Sequence, residues 1–218
     1  MSRRSMPVKT VGLILVGVLM AGCMALPKAD RTMFQEPPLP NRGTLPIKAG
    51  MLTLVDARPP EDRQTLRDIE DFPDRITLEM QMDLSEARLF RSIGHDSAGA
   101  DVLLRGQILQ FAWKPRHNPW PFVPALGTLA ALGVPYAYSA GRVAIALEVL
   151  DARTNEPIAS YVKAAVDKHP YWVYRYQDFE AGSDRDTDSA FRRVVEELAA
   201  SILADGERIV AAVKRPAG

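Results

Sequence analysis

One segment in the second half of the chain restricts the fold more than any other, because its side chains alternate strictly between two faces of a strand. Within residues 141–151, four apolar residues share one face: Val143, Ile145, Leu147 and Val149. This period of two is typical of a β-strand that is buried on one side. Turn-forming residues fill positions 151–156, and residues 158–166 return as a second strand. The sequence therefore predicts a β-hairpin with its apolar face against a core.

Two stretches have the spacing of amphipathic helices. In residues 74–88, which follow Pro73, apolar side chains recur every three or four positions. These side chains are Ile76, Met80, Leu84 and Ala87. A later helix begins after Thr187 or Asp188 as its N-cap, and Gly206 is expected to interrupt it. The apolar face of that helix, which we expect to pack on the hairpin, contains Phe191, Val194, Val195, Leu198 and Ile202.

Shorter apolar runs complete the set of strands. They cover residues 51–56, 89–93 and 100–113, in addition to the two strands of the hairpin. The predicted order is β-α-β-β-β-β-α. Two amphipathic helices would then cover one face of a mainly antiparallel sheet, which is an α+β fold. Residues 167–186, which are rich in tyrosine, remain as a long aromatic loop before the last helix.

The N-terminus has the features of a secretory leader. Residues 1–10 contain three basic residues and no acid, and residues 11–21 are apolar. This apolar run is shorter than the roughly 20 residues that a membrane-spanning helix needs. The chain is predicted to consist of a signal peptide at 1–22, a Pro-rich tether at 23–47, a single periplasmic α+β domain at 48–213 and a tail at 214–218.

The end of the leader, residues 19–23 (LMAGC), resembles the lipobox of bacterial lipoproteins. The resemblance implies cleavage before Cys23, diacylglycerol on its thiol and an acyl chain such as palmitate on the new amino group. Several acyl chains on one residue hold a protein stably on a membrane. Met24, where an inner-membrane signal would have Asp, resembles an outer-membrane address. The domain would then face the periplasm, with the inner membrane as the alternative.

The order of elements is similar to that of the periplasmic α/β domains of bacterial accessory lipoproteins. Examples are the curli-secretion lipoproteins, the TolB N-terminal domain and the auxiliary lipoproteins of envelope ABC transporters. The segments with this resemblance are residues 89–93, residues 100–106, the hairpin around Asp151 and the late helix from Ser189. The resemblance implies an accessory role in an envelope transport, secretion or assembly complex.

Residues 118–141 form an apolar excursion between two strands, with no charged residue in 24 positions. Four prolines interrupt it, and the Pro-free part, 125–134, is ten residues long, which is too short to span a bilayer. Two interpretations stay open: a buried loop on the open sheet face, or an exposed lobe that contacts a membrane or a partner. The contact residues of the second interpretation are Trp120, Phe122, Leu126, Leu129, Leu132, Tyr136 and Tyr138.

Charge and motifs give little support to catalysis or nucleic-acid binding. The 27 basic residues balance 27 acidic residues, so the chain lacks the basic excess that binding to phosphate backbones requires. The sequence contains no phosphate-binding loop, nucleophile elbow or zinc-protease motif. His95 and His117 are interpreted as exposed residues in polar turns. The acids Asp184, Asp186 and Asp188 are interpreted as helix-capping residues rather than a metal site. We expect no catalytic residue, no metal and no cofactor.

The predicted function is that of a lipid-anchored accessory or binding lipoprotein of the cell envelope, not an enzyme. Cys23 would hold it on the membrane, an envelope protein would be its partner, and self-association is left open. A candidate recognition loop contains Tyr171, Trp172, Tyr174 and Tyr176. One alternative is a membrane-inserting secretion-channel subunit. A second is an envelope hydrolase centred on His117 or on residues 184–188.

Overall fold

A computed structural model describes residues 39–63, 71–95, 98–117, 135, 137–171 and 178–214 of the chain. The strands are β1 (Leu45–Met51), β2 (Val55–Asp56), β3 (Phe90–Gly94), β4 (Val102–His117), β5 (Ala137–Asp151) and β6 (Pro157–Tyr171). The helices are α1 (Pro60–Arg63), α2 (Phe72–Glu86), α3 (Asp178–Ala204) and α4 (Gly206–Lys214). In chain order, α1 and α2 lie between β2 and β3, and α3 and α4 follow β6.

The strands form one sheet in the order β3-β1-β4-β5-β6, with β2 beside β4. β1 runs parallel to β3 and to β4, and β2 runs parallel to β4. β4, β5 and β6 form an antiparallel meander. Parallel neighbours need a long connection, and the chain through α2 supplies one between β1 and β3. The predicted α+β class is confirmed, and the sheet is mixed rather than mainly antiparallel.

The main core lies between α3 and the antiparallel meander. Helix α3 packs on β4, β5 and β6, while α2 contacts β3 and α4 contacts β1. The four inward residues of β5 are at most 1% exposed, as predicted: Val143, Ile145, Leu147 and Val149. The predicted apolar face of α3 belongs to the same buried cluster: Phe191, Val194, Val195, Leu198 and Ile202. Burying one such side chain stabilises the fold by roughly 1.5–3 kcal/mol, which is why this interface fixes the register of the hairpin.

The first strand lies earlier than the sequence predicts. The sequence predicts it at residues 51–56, but β1 ends at Met51 and only the short β2 follows it. Pro46 lies inside β1, where the register with β3 shifts between Leu45 and Lys48. A proline fits such an irregularity, because it has no N–H to donate to the ladder. Pro46 therefore weakens the strand pattern of β1 in the sequence.

The last helix begins earlier than predicted, and the loop before it is shorter. β6 continues to Tyr171 and α3 begins at Asp178, so residues 167–186 are not one loop. Thr187 and Asp188 lie inside α3, and neither of them is its N-cap. The sequence does not reveal the first turns of this helix, because its residues there are mostly polar and lack an apolar face of period 3.6.

Two other predictions about helix ends are confirmed. Helix α2 has Pro73 in its first turn. Its buried residues include Ile76, Met80 and Leu84. The interruption near Gly206 is also present, since α3 ends at Ala204 and α4 begins at Gly206. Local sequence signals therefore identify these boundaries correctly.

Arg58, two residues after the end of β2, links this strand to helix α2. Its side chain is 4% exposed, and its Cζ lies 3.9 Å from the centroid of the Phe72 ring. Its Nε and Nη2 donate hydrogen bonds of 2.9 and 3.0 Å to the Asp56 carboxylate. Because these bonds favour the charged carboxylate, they hold the pKa of Asp56 below its ordinary value. The pairing supplies a partner to a guanidinium that would otherwise be costly to bury.

Candidate functional site

The pairing of β4 with β5 ends where the apolar segment of the sequence begins. The last pair is His117 opposite Ala137. Residues 118–136 join the two strands there, and apart from Pro135 they lie outside the described residues. The two strands therefore meet directly as a hairpin. Residues 137–141, which the sequence pattern places in the excursion, belong to β5. We call this end of β4, β5 and β6 the hairpin end.

A polar cluster is buried at the hairpin end, on the sheet face that α3 covers. Asp186 of α3 is 0% exposed, and the hydroxyl of Ser139 in β5 donates a hydrogen bond to its Oδ2. The Nδ1 atom of His169 in β6 lies 2.7 Å from Oδ1 of the same carboxylate. A buried carboxylate is costly without partners. Oδ2 accepts the hydrogen bond from Ser139, whereas the short contact between Oδ1 and His169 does not have hydrogen-bond geometry. The cluster thus joins α3 to both β5 and β6.

The order of groups in this cluster differs from that of a nucleophilic site. In a serine hydrolase the imidazole lies between the hydroxyl and the carboxylate, so that it can accept the hydroxyl proton. Here the Asp186 carboxylate lies between the hydroxyl of Ser139 and the imidazole of His169. Both contacts to Asp186 hold a helix on a sheet, and Ser139 and His169 are directly opposite each other in the register of β5 with β6.

The burial of Asp186 corrects the interpretation of Asp184, Asp186 and Asp188 as helix-capping acids. Helix α3 begins at Asp178, two turns before Asp186, which is too far for this carboxylate to cap the helix. Asp188 is exposed, and the side chain of Asp184 lies outside the description. Sequence reasoning also missed His169, although it has the same strand parity as the inward-facing Ala165 of β6. The sequence pattern does not show that β6 extends as far as residue 169.

Close contact between α3 and β5 depends on a glycine. A Cβ atom at Gly141 would lie 2.1 Å from the carbonyl oxygen of Asp186 and 2.6 Å from the backbone nitrogen of Thr187. Protein atoms do not pack this closely, so a side chain at position 141 would have to displace the helix. Gly141 therefore sets the distance at which Asp186 reaches Ser139.

The sheet face that points away from α3 is exposed in its central part. Val162 of β6 is 63% exposed, and Val166, four residues further along, is 44% exposed. Val162 lies opposite Ala146, and the next pair on this face is Ala144 opposite Ala164. Apolar side chains exposed together are typical of a surface that binds another molecule. We call Ala144, Ala146, Val162 and Ala164 the central patch; Val162 and Ala164 are exposed, and the two alanines of β5 are half-buried.

Other features of the described residues offer little for ligand chemistry. A groove is lined mainly by apolar side chains, and its lining includes the Arg42–Glu196 ion pair. In the described ranges, His, Cys, Asp and Glu side chains form no group of three that could hold a metal ion. None of the helices built from those ranges has the length and apolar character needed to cross a membrane.

Most of the residues predicted to make contacts lie outside the described part of the chain. They are Cys23, Trp120, Phe122, Leu126, Leu129, Leu132, Tyr136, Trp172, Tyr174 and Tyr176. Tyr138 lies on β5 and is 44% exposed, and Tyr171 is the last residue of β6. His95 is exposed as predicted, whereas His117 ends β4 and is not part of a turn. The structure thus brings Tyr138 to the hairpin end and leaves the other contacts as predictions.

Comparison with known proteins supports the fold. No family model and no curated protein sequence matches the chain. A Xanthomonas campestris protein described under family model DUF330 has a similar structure, with a TM-score of 0.51 and 10% identity over 81% of this chain and 93% of that one. Uncharacterized lipoprotein B from Nitrosomonas europaea has a TM-score of 0.40 and 13% identity, over 83% and 94% of the two chains. The PelC dodecamer from Paraburkholderia phytofirmans (L103M variant) has a TM-score of 0.38 and 13% identity, over 74% of this chain and 92% of that one. At such identities the likeness to the Xanthomonas protein concerns the fold alone.

Proposed function

We propose that this chain is a lipid-anchored accessory protein of the bacterial cell envelope, which binds a protein partner and is not an enzyme. The leader and the lipobox at residues 19–23 support a lipid anchor on Cys23, and Met24 supports the outer membrane as its location. The domain would then face the periplasm. The observation on which the binding role depends is the exposed central patch on the sheet face away from α3.

The buried cluster at the hairpin end favours binding over catalysis. Its carboxylate and imidazole are paired with each other and hold α3 against the sheet. A hydrolase would instead need such groups to converge on a cleft that admits a substrate. The hydrolase alternative, centred on His117 or on residues 184–188, has no comparable support.

A membrane-inserting subunit is a second candidate, and one observation favours it. The paired strands β4 and β5 lead directly into the uncharged residues 118–136, so this segment leaves the sheet from the end of a hairpin. Its prolines interrupt the alternating strands of 9–11 residues that a membrane barrel would need. We therefore propose contact with a membrane or a partner for this segment, and not a pore.

The lipid anchor is tested by replacing Cys23 with serine. A serine hydroxyl does not accept the diacylglycerol that the thiol accepts, so we expect incorporation of labelled palmitate to fall to background. Met24→Ser, at the next residue, should keep the label and provides the control. Palmitate labelling of the Cys23→Ser protein at the parental level would refute the anchor.

The binding role is tested by placing a charge on the central patch. Cross-linking in the bacterial envelope, followed by purification of the lipidated protein, should recover the partner with the parent chain. Val162→Arg should reduce this recovery by about tenfold or more, since an unpaired charge in a packed interface is costly. Leu78→Arg is the matched control, because Leu78 is 54% exposed and lies on helix α2. Equal losses in both variants would exclude the central patch as the binding surface.

A further inference from the structure

Three successive rows of residues at the hairpin end form a cationic surface on the sheet face away from α3. Across β4, β5 and β6 these rows are Arg116–Tyr138–Pro170, Lys114–Ala140–Lys168 and Ala112–Arg142–Val166. Each row contains at least one cation, and none contains an acid. The far end of the same face differs, because Arg105 there pairs with Glu148 at 2.7 Å. We call the three rows the cationic rows.

Three of the four cations in these rows have no acidic partner among the described residues. Lys114 is the exception, with its Nζ 3.5 Å from Oδ1 of Asp62. Arg116 and Lys168 are exposed, while Arg142 is half-buried. The Nε atom of Arg142 is buried and makes no hydrogen bond to any described group. The rest of the half-buried side chain is partly accessible, and a guanidinium forms strong charge-assisted hydrogen bonds with an oxyanion.

The position of the cationic rows indicates which oxyanion they meet. They are the last rows before residues 118–136, a segment that contains no charged residue and includes Trp120, Phe122 and Tyr136. Basic residues beside an apolar, aromatic segment are typical of a surface that lies against a bilayer. Each Lys or Arg near an anionic membrane strengthens binding by about fivefold.

We propose that Arg116, Arg142 and Lys168 bind the phosphate groups of anionic phospholipids, so that the hairpin end faces the bilayer. This proposal rests on the membrane attachment proposed above and adds an orientation to it. Ala146 lies six residues from Ala140 on β5, which is about 20 Å along the strand. The central patch would therefore remain clear of the headgroups and accessible to a protein partner.

The orientation can be measured on the lipidated chain with a fluorophore on a single introduced thiol. Cys23 is the only cysteine of the chain, and its thiol is occupied once the protein is lipidated. Ala140→Cys places the probe inside the cationic rows, and Ala146→Cys places it in the central patch. The proteins are reconstituted into vesicles of phosphatidylcholine alone or with phosphatidylglycerol, and acrylamide quenching is recorded. Flotation of the vesicles reports the anchor separately, so failure of the anchor and failure of the orientation are distinguishable.

We expect phosphatidylglycerol to reduce quenching at position 140 by about threefold or more, and to leave position 146 unchanged. The reduction should disappear when Arg116, Arg142 and Lys168 are all replaced by Gln. The matched control replaces Arg75, Arg91 and Arg193 by Gln, which removes the same charge elsewhere and should preserve the reduction. The double variant Arg116→Gln/Lys168→Gln changes exposed residues only. It should lose most of the reduction in quenching at position 140, even if the triple variant folds poorly.

Three results would overturn the proposal. Quenching at position 140 that does not depend on phosphatidylglycerol would exclude recognition of anionic headgroups. Protection of position 140 in phosphatidylcholine alone that grows with the protein-to-lipid ratio would also contradict the proposal. In that case a second copy of the chain would cover the cationic rows. Equal effects of the two triple variants would mean that only the net charge of the chain matters.

Discussion

Replacing Gly141 by valine is expected to detach the first half of α3 from the sheet and to destabilise the domain by about 3 kcal/mol or more. The cause is the 2.1 Å approach that a Cβ at this position would make to the carbonyl oxygen of Asp186. Backbone atoms of a helix cannot rotate away as a flexible side chain can. The change should therefore also separate Asp186 from Ser139 and His169. Urea unfolding of the full chain gives the loss of stability.

The matched control is Ala144→Val, which puts the same side chain on the other face of β5. Ala144 is half-buried on the face away from α3, where a β-branched residue suits a strand. Its stability should stay within about 0.5 kcal/mol of the parent. If Gly141→Val is no more destabilising than this control, α3 does not dock on β5 as described.

Elements with a strong local period could be predicted from the sequence. The alternation at Val143, Ile145, Leu147 and Val149 predicts both the strand and its buried face, and every one of these side chains is buried. The apolar face from Phe191 to Ile202 likewise predicts the side of α3 that packs on the hairpin. Such patterns succeed because the residues that define them are the ones that form the core.

The pairing of the N-terminal strands could not be predicted in this way. Parallel contact of β1 with both β3 and β4 depends on segments that are distant in sequence. A local pattern contains no information about which strands become neighbours. Pro46 further lowers the strand signal of β1, although the register shift at this point accommodates it.

The candidate site illustrates a second limit. Asp186 is one of several acids in a polar stretch, and on propensity alone an acid before an apolar helix face is typical of a cap. It becomes a buried residue because β5 and β6 extend far enough to place Ser139 and His169 beneath it. Only tertiary contacts reveal that Asp186 is buried. The lipobox and the aromatic segment stay predictions from the sequence.

Replacing residues 118–136 by a two-residue Asn-Gly turn is expected to leave the domain folded and to abolish its function. The last pair of the hairpin is His117 opposite Ala137, so a tight turn can close the strands at this point. The replacement keeps every buried residue that the structure describes in β4, β5 and α3. Thermal melting should stay cooperative, with a midpoint within about 5 °C of the parent. The membrane contact, measured as protection of position 140 by anionic lipid, should be lost.

A longer replacement that also removes residues 137–141 provides the control for this experiment. It deletes Ser139 and Gly141, which contact α3, and should therefore lower the midpoint by about 10 °C or more. The excursion interpretation requires that the two replacements differ in this way. If the shorter replacement already abolishes the cooperative transition, residues 118–136 belong to the core. The uncharged segment would then stabilise the domain, and the membrane or partner contact would have to lie on another surface.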